Sequence, residues 1–253
     1  MFWSTFIYFA IVAVLLWIAG AYFAWKEKPK RAIFITLGGL LIFFIFIIGI
    51  WITLERPPLR TMGETRLWYS AFLPMVGLIV YARWRYKWIL SFSTLLSAVF
   101  ICVNLFHPEI QSKALMPALQ SPWFAPHVIV YMFAYAILGA ATLVAIYRLF
   151  RADARMSSID DLVRVGLAFL TFGMLFGALW AKEAWGHYWA WDPKETWAVV
   201  TWFGYLVYIH YREMPKHRPR IALLWLLVCF CLLQMCWWGI NYLPSATSSI
   251  HVY

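Results

Sequence analysis

Between Trp180 and Trp202 the chain places six of its 17 tryptophans in 23 residues, and the centre of that stretch reads WGHYWAWDPKETW, from Trp185 to Trp197. The second half of this run has the grammar of a helix start. Asp192 is a good N-cap, Pro193 suits the first helical position, and Glu195 stands three residues after the cap, as in a capping box. The positive end of a helix dipole then lies beside the rings. If the first half is helical, Trp185, Tyr188 and Trp189 share a face and form an aromatic plate. An aromatic belt at a membrane boundary accounts for any two of these rings, but it needs neither Gly186 between them nor a capped Asp-Pro beside them. A flat apolar surface next to a helix N-terminus suits a large planar anion, with rings against the plane and the helix end, Lys182 or Lys194 facing its carboxylates. Haem, a quinone or a lipid head group each satisfies that description.

The elements that must position this loop are apolar. Hydrophobic residues make up 64% of the 253 positions and charged residues 13%, about half the share of a soluble domain. Eight apolar segments are predicted to be helices: Trp3–Trp25, Ala32–Leu54, Leu67–Ala82, Trp88–Phe106, Val128–Tyr147, Val165–Ala181, Thr196–Tyr211 and Ile221–Gly239. They are continuous rather than alternating, which excludes barrel strands. The third, sixth and seventh are short of the roughly 20 residues that cross the hydrocarbon. The expected fold is an all-α polytopic membrane bundle of about eight spans, in a single domain. The first apolar run lacks a basic leader and is long enough to remain in the membrane, so no cleaved signal is expected.

Alternate links hold fifteen of the 21 basic residues: Lys26–Arg31, Arg83–Lys87, Arg148–Arg164 and Arg212–Arg220. The positive-inside rule makes these cytoplasmic, so both termini and the Trp-rich loop face outward. His107, His127, His187 and His251 then lie outside, and His210 and His217 inside. The net charge of +10 reflects this topology and not nucleic-acid binding. An outer loop carries Arg56, Arg60, Glu64 and Arg66. These read as solvated loop charges, or as a site where Arg56 or Arg60 forks onto a carboxylate. Pro74 reads as a kink in the third span. The four cysteines all lie in apolar spans and form no Cys-x-x-Cys, so neither a redox motif nor a disulfide framework is indicated. The spans hold almost no charge, which disfavours an ion or proton pathway.

The run WGHYWAWDPKETW resembles the tryptophan-rich WWD signature of the CcsA/ResC, or system II, cytochrome c assembly proteins. ERPPLRTMGETRLWYS (Glu55–Ser70), LQSPWFAPHV (Leu119–Val128) and the tail around His251 resemble other segments of the same family. The resemblance implies a protein of the bacterial cytoplasmic membrane that handles haem b on its outer face for attachment to the Cys-x-x-Cys-His motif of apocytochrome c. It implies His127 and His251 as the two axial iron ligands. It places Trp185, Gly186, Tyr188, Trp189, Trp191, Asp192 and Lys194 around the haem, with Arg56 and Arg60 as candidates for its propionates. His187 falls at a variable position of the signature, beside the site. The chemistry implied is addition of two thiols to two vinyl groups, to which the protein contributes orientation rather than a nucleophile. The alternative is a carrier or exporter that hands haem to a separate chaperone or synthase without forming the thioether.

One departure matters. Larger members of the family carry a further histidine in an early span, at a position that falls near Phe43 here, and nothing from Met1 to Phe106 is a histidine. The resemblance therefore implies a single haem site in this chain and a ResB/CcsB-type partner subunit for full activity.

Overall fold

In a computed structural model, residues 2–107, 117–151 and 153–244 are described. Among them are eight α-helices: α1 (Phe6–Trp25), α2 (Pro29–Leu54), α3 (Met62–Trp84), α4 (Lys87–Phe106), α5 (Phe124–Phe150), α6 (Met156–Trp185), α7 (Pro193–Glu213) and α8 (Pro219–Trp237). Six of them, all but α3 and α7, are long and apolar enough to cross a membrane. The fold is a polytopic membrane bundle of helices. No strand occurs among the described residues.

The helices separate into two compact units, Met1–Leu119 and Gln120–Tyr253. Within the first, α1 packs on α2 and α4, and α3 on α2 and α4. Within the second, α5 packs on α6 and α8, and α7 on α6 and α8. Short links make sequential neighbours antiparallel, which is the economical way to close a four-helix ring.

Helix α3 escapes the apolar rule for a physical reason. More than half of its residues are buried inside its own unit, Glu64 and Ser70 among them, and buried polar groups there meet partners in protein rather than lipid. The Ser97 hydroxyl donates to the Ser70 carbonyl at 2.6 Å. The Asn104 amide donates to the Gly63 carbonyl at 2.9 Å and accepts from Arg66 at 2.9 Å. Pro74 lies inside α3, buried, and the helix runs through it. At the candidate early position, Phe43 is fully buried between Trp17, 5.5 Å away, and Phe6, 6.2 Å away.

Helix α6 begins nine residues before the predicted sixth span. The sequence Met156–Arg164 is too polar to read as membrane, yet it is helical because its acids have partners: Asp160 accepts from Tyr208 Oη at 2.8 Å and takes both forks of Arg212 at 2.8 and 2.7 Å.

Candidate functional site

The Trp-rich loop hangs between α6 and α7, and each of its ends is fixed locally. At Gly186 the chain turns left-handed, with φ +85°, and α6 stops. An added Cβ meets nothing within 4 Å there, so glycine is needed for the backbone angle and not for space. Lys182 turns to its own helix end, giving a hydrogen bond to the Gly186 carbonyl at 2.8 Å with its ammonium 5.5 Å from the Tyr188 ring. The other end is the expected capping box. Asp192 accepts from the Lys194 N–H at 2.9 Å, Glu195 accepts from the Asp192 N–H at 3.1 Å, and Pro193 opens α7.

Between these ends the chain is not helical, which corrects the expected plate. With the helix closed at Gly186, Trp185 and Trp189 cannot share one face. The rings form two pairs instead. Trp185 turns back onto Trp180, centroids 4.9 Å apart, and Trp189 meets Trp191 edge-on at 5.7 Å. Tyr188 and Trp191 are exposed. Trp189 is partly buried, and its indole N–H finds no acceptor among the described residues. Lys194 lies in the first turn of α7, and burial pulls its pKa down while Asp192 acts in the opposite direction.

His127 sits one turn into α5, which starts at Phe124, four residues before the predicted span. Its Nδ1 is 2.8 Å from the Gly173 carbonyl on α6. A carbonyl only accepts, so Nδ1 carries the proton and the lone pair of the neutral ring is on Nε2. The ring lies 5.4 Å from Trp180 and 4.8 Å from Tyr131. Trp180 thus links the histidine to Trp185. Two glycines make the slot: a Cβ on Gly177 meets His127 Cε1 and Nδ1 at 2.8 Å, and one on Gly173 meets the Tyr131 ring at 2.3 Å. Sequence reasoning missed this pair, although its signal is present as Gly-x-x-x-Gly in apolar α6, facing His127 and Tyr131, residues i and i+4 of the preceding α5. It counted Trp180 in the cluster without giving it a role of its own, and it missed the Ser121 hydroxyl that donates to Glu183, which ties the start of α5 to the end of α6.

Arg56 and Arg60 belong to the other unit. Their loop is not a set of solvated charges, and this is a correction. The Arg56 guanidinium forks onto Glu64 at 2.9 and 2.7 Å, with 5% and 0% of the two side chains exposed. The Arg60 backbone N–H adds a bond of 2.6 Å to the same carboxylate, and Trp68 donates to the Pro58 carbonyl at 3.0 Å. The fork expected for an external carboxylate closes an internal one. His251 lies outside the described residues. Among the described residues no three His, Cys, Asp or Glu side chains gather as a metal site; a haem iron takes its protein ligands axially, one or two in number.

Residues 59–247 match the family described as cytochrome C assembly protein. The chain is 30% identical over 283 aligned positions to the "Cytochrome c biogenesis protein CcsA" of Cuscuta exaltata, covering 94% of this chain and 91% of that one. It is 29% identical to the protein of the same name from Vitis vinifera, covering 86% and 83%. Among solved structures it is similar to "Cytochrome c Heme Lyase CcmF", with a TM-score of 0.69 and 15% identity over 92% of this chain, which spans 45% of that one. At that identity the likeness speaks to the fold. With three quarters of its length matched, the chain belongs to the cytochrome c assembly protein family.

Proposed function

We propose that this chain binds haem b on the outer face of the membrane and presents it for covalent attachment to apocytochrome c. The observation that carries this reading is the His127 hydrogen bond. Histidines that ligate a metal give their other ring N–H to a carbonyl or carboxylate, which sets the tautomer and raises the basicity of the ligating nitrogen. His127 has that arrangement through Gly173. The remaining residues suit the same cargo. Trp185, Trp189 and the exposed Trp191 offer apolar surface, and the Trp189 N–H supplies a donor. His251 is proposed as the second axial ligand. Arg56 serves by shaping its own loop through Glu64.

The haem supplies the iron and the vinyl groups. The chain's own residues hold the iron from His127, keep the ring against tryptophan and orient its edge. In this role the chain works in the bacterial cytoplasmic membrane with a ResB/CcsB-type subunit and apocytochrome c. The test is reconstitution of this chain and the partner subunit with haem and apocytochrome c, with covalent haem read after denaturing electrophoresis. Thioether-linked product that depends on His127 supports the reading. Haem transfer without a covalent product would assign the chain to the carrier class.

A further inference from the structure

Four non-glycine residues have positive φ among the described ones: Glu27, Glu55, Arg85 and Trp191. Glu55 and Arg85 close helices and Glu27 follows the end of α1, where the left-handed conformation is common. Trp191, at φ +57°, precedes a helix, and a bulky aromatic is disfavoured there. Something must hold it. The N–H of Ala190 and the N–H of Asp192, on either side of Trp191, converge at 2.9 and 3.1 Å on a single oxygen of Glu195. Backbone N–H groups that converge in this way form an anion-binding concavity, and a residue in left-handed conformation is what turns them to the same point. The anion here is the chain's own carboxylate, itself buried. From the other side the Thr196 hydroxyl donates to the Trp191 carbonyl at 3.2 Å. The outcome is a ring 67% exposed to its surroundings, set edge-on against Trp189.

We propose that Glu195 is a positioning residue for the haem site. Its carboxylate fills the concavity around Trp191 and holds Trp191 left-handed, so that the ring projects edge-on beside Trp189. A capping box needs only the Asp192 N–H. The bond to Ala190 lies outside the cap and has no part in starting α7. The consequence for haem rests on the function proposed above; the positioning of Trp191 does not.

The experiment keeps the two apart. The full chain is labelled with 5-fluorotryptophan and the Trp191 line is assigned by its loss in Trp191→Phe. In Glu195→Ala that line shifts or broadens. In Glu195→Gln it returns, because the amide oxygen accepts from the same two donors. If Glu195→Ala fails to accumulate, Glu195→Asp, one methylene short of the concavity, gives the same displacement. Haem content falls about tenfold in Glu195→Ala, as the Ala190 and Asp192 N–H groups lose their shared acceptor and release Trp191, and the loss disappears in a Trp191→Ala background. An unmoved Trp191 line in Glu195→Ala and Glu195→Asp overturns the proposal, as does an undiminished Glu195 effect on haem in the Trp191→Ala background. A moved line with unchanged haem content upholds the positioning and overturns the haem reading of the loop.

Discussion

Replacing Gly177 by alanine tests whether the α5–α6 slot sets the histidine. The new Cβ would stand 2.8 Å from both Cε1 and Nδ1 of His127, against an optimum of about 3.5–4.0 Å between carbon atoms. The ring cannot simply rotate, because Nδ1 is bonded to Gly173 and the faces meet Trp180 and Tyr131. Overpacking of this kind costs about 1–3 kcal/mol, and a lost hydrogen bond adds about 0.5–1.5 kcal/mol. Helix propensity returns about 1 kcal/mol. The net loss is roughly 0.5–3.5 kcal/mol, most of it felt by the ring. Gly139→Ala is the control, since its Cβ meets Phe230 at an ordinary 3.5 Å; it is neutral or slightly stabilising. Both variants are purified in detergent, their thermal midpoints read by circular dichroism and their haem content by pyridine haemochrome. Gly177→Ala lowers both and Gly139→Ala neither. Wild-type haem content and spectrum in Gly177→Ala would refute the slot as the device that sets His127.

Asp192→Ala lowers stability by about 1 kcal/mol through loss of the cap, and Asp192→Asn is mild because asparagine caps equally well; if Asp192→Asn abolishes cytochrome assembly while the protein accumulates, the carboxylate serves the ligand and not the helix. Arg56→Ala strands Glu64 in a buried site and costs about 3–5 kcal/mol, seen as poor accumulation in membranes; normal accumulation with loss of haem alone would return Arg56 to a ligand role. A single accessible cysteine at Ser121 labels with an impermeant thiol reagent from outside intact cells and one at Ser157 does not; the reverse pattern overturns the orientation.

What could be read from the sequence was what is local. The Asp192–Glu195 cap depends on residues three apart, so composition and spacing suffice. The helices could be placed because apolar runs of this length have few other fates, yet their ends were misplaced wherever polar side chains find partners on another helix. Asp160 is the example: read alone it belongs to a link, and read with Arg212 and Tyr208 it belongs to α6. Arg56 was misread for the converse reason, since a charge in a loop looks solvated until the fold closes Glu64 over it. The slot at Gly173 and Gly177 needed two helices in register. The left-handed Trp191 needed backbone angles that no spacing encodes.

The claim at the centre is that His127 holds haem iron through Nε2. The direct measurement is the absorption spectrum of the purified chain beside that of His127→Gly, with and without added imidazole. The account predicts a low-spin haem spectrum in the parent chain, its weakening in His127→Gly, and partial return when imidazole takes the vacated position. A spectrum identical in the parent chain and in His127→Gly would contradict it.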